Sequence, residues 1–302
     1  MDNLINKINE LKKQRDAVIL GHYYLERDVL DICDYVGDSF YLAKKATELE
    51  NKTIVFCGVR FMGESAKILN PDKTVLLVDN SAICPMANMV TKEDIDKIKA
   101  AYDDVCVVAY INSKSEIKRY VDVCVTSGNA HNIIPKIKNK NIYFIPDKNL
   151  GGYLAKQFPE KNFILHPGYC PVHERMNKDE LLEAKKLHPG ALVMAHPECN
   201  EGVLGVADYI GSTTGIIDFV ANSDNDEFII ASELGMFYEL EKQNPHKHFY
   251  PIKADQICVD MKKITPAKVA ASLENDFDGV VLSGELIAEA KKSLDRMLEM
   301  AK

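Results

Sequence analysis

The sequence predicts an α/β protein: three homologous three-layer α/β/α domains with parallel sheets, arranged about a pseudo-threefold axis. Three observations predict it. Short apolar segments alternate with helical patterns, as in βαβ units that build a parallel sheet. Those segments are nearly continuous in apolar character, as strands covered on both faces are. The same succession of segments also occurs three times, 86 to 88 residues apart, judged from Cys84, Cys170 and Cys258.

The elements follow in order. A charged amphipathic helix opens the chain over Met1 to Asp16, with Leu4, Ile5, Ile8 and Leu11 on its apolar side. The first strand of each copy is AVILGH (Ala17–His22), VCVVAY (Val105–Tyr110) and ALVMAH (Ala191–His196). The second is DYVGDS (Asp34–Ser39), DVCVTS (Asp122–Ser127) and DYIGST (Asp208–Thr213), and 17 residues separate the first strand end from the closing hydroxyl in every copy. The third is Thr53–Cys57, Asn141–Ile145 and Glu227–Ala231, and the fourth is Thr74–Val78, Asn162–His166 and His248–Ile252. Each fourth strand runs into a loop with one cysteine, and seven residues beyond it stands a helix N-cap candidate, Thr91, Asn177 or Thr265. Agreement of several spacings, in order, three times over, predicts a triplication. The expected domains are 1–100, 101–187 and 188–302, the last including a C-terminal helix from about Glu285 to Lys302 rich in strong helix formers.

Composition narrows the function. The 302 residues are 46% hydrophobic and 27% charged, an ordinary globular balance. A formal charge of -8 without a Lys/Arg-rich run argues against a nucleic-acid partner. No apolar run approaches the roughly 20 residues of a membrane span, and the N-terminus lacks a secretory apolar core. A cytoplasmic location is therefore expected, where the eight cysteines are thiols or metal ligands rather than disulfides.

Ligands of open parallel sheets bind beyond the carboxyl ends of the strands, and three facing sheets bring those ends to one central cavity. Cys84, Cys170 and Cys258 then meet near the axis. Three thiolates suggest a [4Fe-4S] cluster with one iron left open to substrate, since such clusters otherwise take four cysteines. A zinc ion is the plainer alternative, although no CxxC pair of the usual zinc kind is present. Cys33, Cys57, Cys106, Cys124 and Cys199 read as packed residues. A second set is hydroxylic: Ser39, Ser127, Ser212 and Thr213, at strand ends that open helices. Taken singly each is an N-cap; three in register around one cavity suit a polyanionic substrate. A third set is His22, Tyr24, Tyr110, Asn112, His196 and Glu198, polar groups at buried strand ends that suit proton shuttling, with His173 as a further donor.

At these residues the chain resembles the quinolinate synthase family. The matching segments include GHYY at Gly21–Tyr24, AICPMA at Ala82–Ala87, TSGNA at Thr126–Ala130, PDKNLGGY at Pro146–Tyr153, PGYCPVHE at Pro167–Glu174, HPEC at His196–Cys199, GSTTG at Gly211–Gly215 and CVDMKKIT at Cys258–Thr265. The resemblance implies condensation of iminoaspartate with dihydroxyacetone phosphate to quinolinate, releasing phosphate and water, on the route to NAD. It implies a [4Fe-4S] cluster on Cys84, Cys170 and Cys258 acting as Lewis acid, and transient contact with the enzyme that supplies iminoaspartate. The expected proton-transfer residues are Tyr24, His196 and Glu198. His22, Ser39, Tyr110, Asn112, Ser127, His173, Ser212 and Thr213 are expected to hold substrate. Two rival classes stay in view: a zinc-dependent hydrolase or lyase, and a non-catalytic iron–sulfur sensor of a metabolite.

Overall fold

The computed structural model describes residues 2–275 and 279–302. It contains three four-stranded parallel sheets. The first is built from β1 (Ala17–His22), β2 (Tyr35–Gly37), β3 (Thr53–Cys57) and β4 (Thr74–Leu77). The second comprises β5 (Val105–Tyr110), β6 (Val123–Val125), β7 (Asn141–Ile145) and β8 (Asn162–Leu165). The third comprises β9 (Leu192–Ala195), β10 (Tyr209–Ile210), β11 (Glu227–Ala231) and β12 (His248–Pro251). Every sheet has the same spatial order, second strand, first, third, fourth. The fourth strands end one residue earlier than the sequence suggests, and β9 stops at Ala195, so that His196 follows its strand rather than closing it.

The repeat extends to side-chain devices. Asp34, Asp122 and Asp208 each stand just before the second strand. Their carboxylates accept the amide protons of Ile19, Val107 and Val193 at 2.8, 2.7 and 2.8 Å. The backbone N–H of each aspartate in turn donates to the carbonyl of that same first-strand residue. One aspartate thereby adds a rung to the pairing of first and second strands, which explains why a second strand of two or three residues suffices. Lys73, Lys161 and Lys247 precede the fourth strands. Each ammonium donates to two backbone carbonyls, Ala46 and Leu49, Ile137 and Asn139, or Val220 and Ser223. In the first and third copies those carbonyls end the helices Ser39–Glu48 and Thr213–Asn222, where orphan acceptors attract cations. The three N-cap candidates all cap: Thr91 takes the Asp94 amide, Asn177 the Asp179 amide and Thr265 the Lys268 amide.

The first and third strands of each sheet are largely buried, whereas β8, β10 and β12 are half-buried or exposed, and the apolar side chains of the inner strands form the core on both faces of the sheets. One apolar cluster runs through the first and second sheets together, whereas the third sheet has its own cluster on each face. The chain end accounts for that continuity. The helix Pro266–Asn275 packs against the opening helix Asp2–Gln14 and against β3 and β4. Val280 then donates its amide to the Val75 carbonyl at 2.8 Å, beside an antiparallel bridge from Gly279 to Leu76. The final helix, Gly284–Met300, lies across β6 and the helices Arg60–Leu69 and Ser115–Lys118. The last segment thus returns from the third sheet to tie the first two together.

Candidate active site

The carboxyl ends of the three sheets face one cavity of about 70 Å³. Of the residues singled out from the sequence, Cys84, Cys170, Cys258, His22, Tyr24, Ser39, Tyr110, Asn112, Ser127, His173, His196, Glu198 and Thr213 line it. Ser212 does not: its hydroxyl accepts the Gly215 amide at 3.1 Å and caps the helix Thr213–Asn222. The other hydroxyls also differ from the expected arrangement. Asp38, not Ser39, caps the helix Ser39–Glu48, accepting the Phe40 and Tyr41 amides. Ser127 lies ahead of the one-turn helix Ala130–Ile133, whose N-cap is Asn129. The Asp38 carboxylate has taken the capping role in the first copy, whereas the Asn129 side chain accepts the Thr126 amide and caps nothing, and both Ser39 and Ser127 face the cavity.

His22 and His196 are set by one backbone device. The Tyr24 amide donates to His22 Nδ1 at 3.1 Å, and the Glu198 amide donates to His196 Nδ1 at 3.3 Å. Burial lowers both imidazoles, to about 4 for His22 and about 3 for His196. Each ring is therefore neutral near pH 7 with its proton on Nε2. His196 Nε2 presents that proton to Ser127 Oγ, 3.2 Å away.

The residue two further along carries a second polar group into the cavity, Tyr24 in the first unit and Glu198 in the third. Glu198 is buried, which by itself raises a carboxyl. The influence of His196 and His173 and hydrogen bonds from His173 and Tyr110 outweigh that and hold it below the usual carboxylate range. His173 Nδ1 stands 2.8 Å from Glu198 Oε2 and 3.2 Å from Cys170 Sγ, and its Nε2 is 3.4 Å from Ser232 Oγ. Tyr24 Oη bonds Thr213 Oγ1 and Ser232 Oγ, each at 3.1 Å, and burial raises its phenol well above the ordinary value. Tyr110 is raised in the same way, by burial and then by the Glu198 charge. Asn112 Oδ1 and Thr126 Oγ1 are buried along this wall without a hydrogen-bond partner. Native structures rarely leave such atoms orphaned, and a ligand is a common reason when they do.

Burial raises all three cysteine thiols, Cys84 to about 12. Neighbouring thiolates add to this, Cys258 acting on Cys84 and Cys84 on Cys170. Thiols in such surroundings ionise when a metal takes the charge. The donor set fits an iron–sulfur cluster, because three soft thiolates from equivalent loops enter one site, with the thioethers of Met62 and Met261 beside them. The other five cysteines are free and none lines the cavity. One tighter grouping also exists. Single donor atoms of Cys170, His173 and Glu198 lie within 4.8 Å of one another.

Sequence reasoning missed several neighbours. Asp38 and Glu233 line the cavity, and Ser232 links Tyr24 to His173. Asp147 is fully buried, and burial followed by the Glu198 charge raises its carboxyl well above the ordinary range. Glu233 accepts the Cys258 amide at 2.9 Å and pairs with Lys262 at 3.1 Å; burial raises it although the lysine opposes. A signal was present in the repeat. Val59, Asp147 and Glu233 each stand two residues beyond the third strand, so an acid recurs there in two copies.

Fold and site together define a triplicated α/β enzyme with a thiol-lined active cavity at the carboxyl ends of its strands. Across residues 6–299 the chain matches the family described as quinolinate synthetase A protein. It is 46% identical over 299 residues to quinolinate synthase of Clostridioides difficile (strain 630), covering 99% of this chain and 98% of that one. It is 48% identical over 296 residues to the enzyme of that name from Fusobacterium nucleatum, covering 98% and 99%, and 47% over 297 residues to that of Caldicellulosiruptor bescii, covering 98% of both. The chain belongs to the quinolinate synthase family.

Proposed function

We propose that this protein is a cytoplasmic quinolinate synthase that condenses iminoaspartate with dihydroxyacetone phosphate in the central cavity, releasing phosphate and water on the route to NAD. The observation that carries the reading is the meeting of three register-equivalent cysteines with the buried polar strand ends in one cavity. Cys84, Cys170 and Cys258 would hold a [4Fe-4S] cluster. Bound there, it would supply an iron with an open position, a Lewis acid toward substrate oxygen or nitrogen. Free thiols throughout the chain suit a reducing compartment. Among the described residues no helix is long and apolar enough to cross a membrane. Iminoaspartate reaches the site from the enzyme that makes it, through transient contact.

The chain's own groups divide the remaining work. Neutral His22 and His196 offer Nε2–H donors to substrate carboxylates, and Ser39, Ser127, Thr213 and Asn112 add uncharged contacts. Glu198, held anionic, takes a proton and passes it through His173, whose Nδ1 stands 2.8 Å away. Tyr24 stays protonated and donates from its phenol. The domain division at residues 100 and 187 follows the repeat, with each copy contributing one face of the site. The cavity of about 70 Å³ holds only a few waters, each needing at least roughly 10–15 Å³.

A second reading attaches to Cys170, His173 and Glu198, a set that a single zinc ion would take. The deciding experiment is anaerobic purification with iron, sulfide and zinc analysis, followed by incubation with both substrates. A brown protein that forms quinolinate supports the first reading. A colourless zinc protein that forms none overturns it.

A further inference from the structure

Lys118 is fully buried, at 0% exposure, in the short helix that follows β5. The copies of the repeat place leucine at this position. Counting eight residues from His22, Tyr110 and His196 gives Leu30, Lys118 and Leu204. A leucine therefore satisfies the scaffold twice, and an ammonium replaces it once, at the cost of burying a charge. Stability alone favours leucine. The position of the ammonium indicates what it does instead.

Its one hydrogen-bond partner given by the structure is the carbonyl of Ser113. Ser113 ends the turn that carries Asn112, whose Oδ1 is buried without a partner on the cavity wall. The ammonium also sits 5.5 Å from the centre of the Phe61 ring, within reach of a cation–π contact. Phe61 and Cys84 form the partition between the central cavity and an outer cleft of about 660 Å³. The nearby carboxylate of Glu64 is already committed, to Arg60 Nε at 2.8 Å and Ser115 Oγ at 2.6 Å. Removing the lysine would thus leave no buried acid stranded. The Lys118 carbonyl is itself fixed by the Ser293 hydroxyl of the final helix at 2.9 Å.

We propose that Lys118 is a positioning residue, fixing the Asn112 turn and the Phe61 ring so that this wall of the cavity is preset for an anionic ligand. The inference deepens the reading of the cavity as the quinolinate site and rests on it. Its test uses the intact, cluster-containing protein under argon and two variants. Lys118→Leu installs the residue of the other copies; Lys118→Met keeps the length and the apolar contact without the charge. Quinolinate affinity is measured by calorimetry at 25 °C and melting temperature by scanning calorimetry. Both variants are expected to melt cooperatively well above 25 °C and to bind quinolinate about tenfold or more weakly, the scale of one lost charge-assisted hydrogen bond. If wild type binds quinolinate and both variants bind it as tightly, Lys118 has no role in the site and the inference falls, whatever the melting temperatures show. If wild type binds none, the reading of the cavity fails and the inference goes with it.

Discussion

The first and third units share a backbone arrangement at their strand ends and differ in the chemistry it presents. Each takes a backbone amide onto histidine Nδ1, from Tyr24 in the first and from Glu198 in the third. Each histidine is neutral for the same reason, burial. The side chain two positions on then separates them. Tyr24 meets two hydroxyls, Thr213 and Ser232, whereas Glu198 meets His173 and Tyr110. The second unit has Tyr110 and Asn112 at the same positions, with tyrosine where the others have histidine. Triplication kept what the backbone sets and diverged where a side chain enters the cavity. One phenol, one amide and one carboxylate therefore line a common cavity, one from each unit.

The largest effect should come from breaking what the three units do have in common. Replacing Cys84, Cys170 or Cys258 by alanine is expected to abolish the intact cluster, whereas the other five cysteines tolerate serine. Iron and sulfide analysis of all eight single variants checks this. A complete cluster in any of the variants lacking Cys84, Cys170 or Cys258 would overturn this ligand assignment.

Next in size is the difference between the two histidine-bearing units. Glu198→Gln should keep the cluster and slow turnover at least about 100-fold, as for a lost general base. Tyr24→Phe removes a phenol that shares its bonds with two hydroxyls, and should cost nearer tenfold. Single-turnover quinolinate formation measures both. Equal losses would mean that the two positions do one job.

The feature common to both units has a pH signature. Burial lowers His22 from the ordinary 6.5 to about 4 in the folded protein, so between these limits the unfolded chain holds more protons. Its contribution is complete above about pH 6.5 and is lost as pH falls toward 4. Urea midpoints of cluster-free protein should drop across that window, and His22→Asn should flatten the drop. A slope that His22→Asn leaves untouched assigns the effect to other groups.

The smallest expected effect separates a cap from a contact. Ser212→Ala should lower stability by about 1 kcal/mol, the value of an N-cap, with turnover nearly normal. Ser127→Ala should do the reverse, weakening substrate binding at an unchanged melting temperature. Turnover lost in Ser212→Ala at full stability would return that hydroxyl to the substrate.

Much of this molecule was determined by the sequence alone. Triplication was legible because βαβ units have strong local signatures and identical spacings recur, from His22, Tyr110 and His196 through to Cys84, Cys170 and Cys258. The thiols and strand-end polar groups were legible through the same register, since parallel sheets send equivalent positions to the same end. Three-dimensional packing decided the rest. Ser212 caps its helix, Asp38 takes that role from Ser39, and no side chain caps the helix that follows Ser127. The pairing of Glu198 with His173 joins positions on different units. The return of residues 266–300 to the first two sheets depends on which apolar faces were left uncovered. Local pattern records what each segment does with its own backbone; contacts between segments arise only when the sheets meet, and the chemistry of this cavity is made of those contacts.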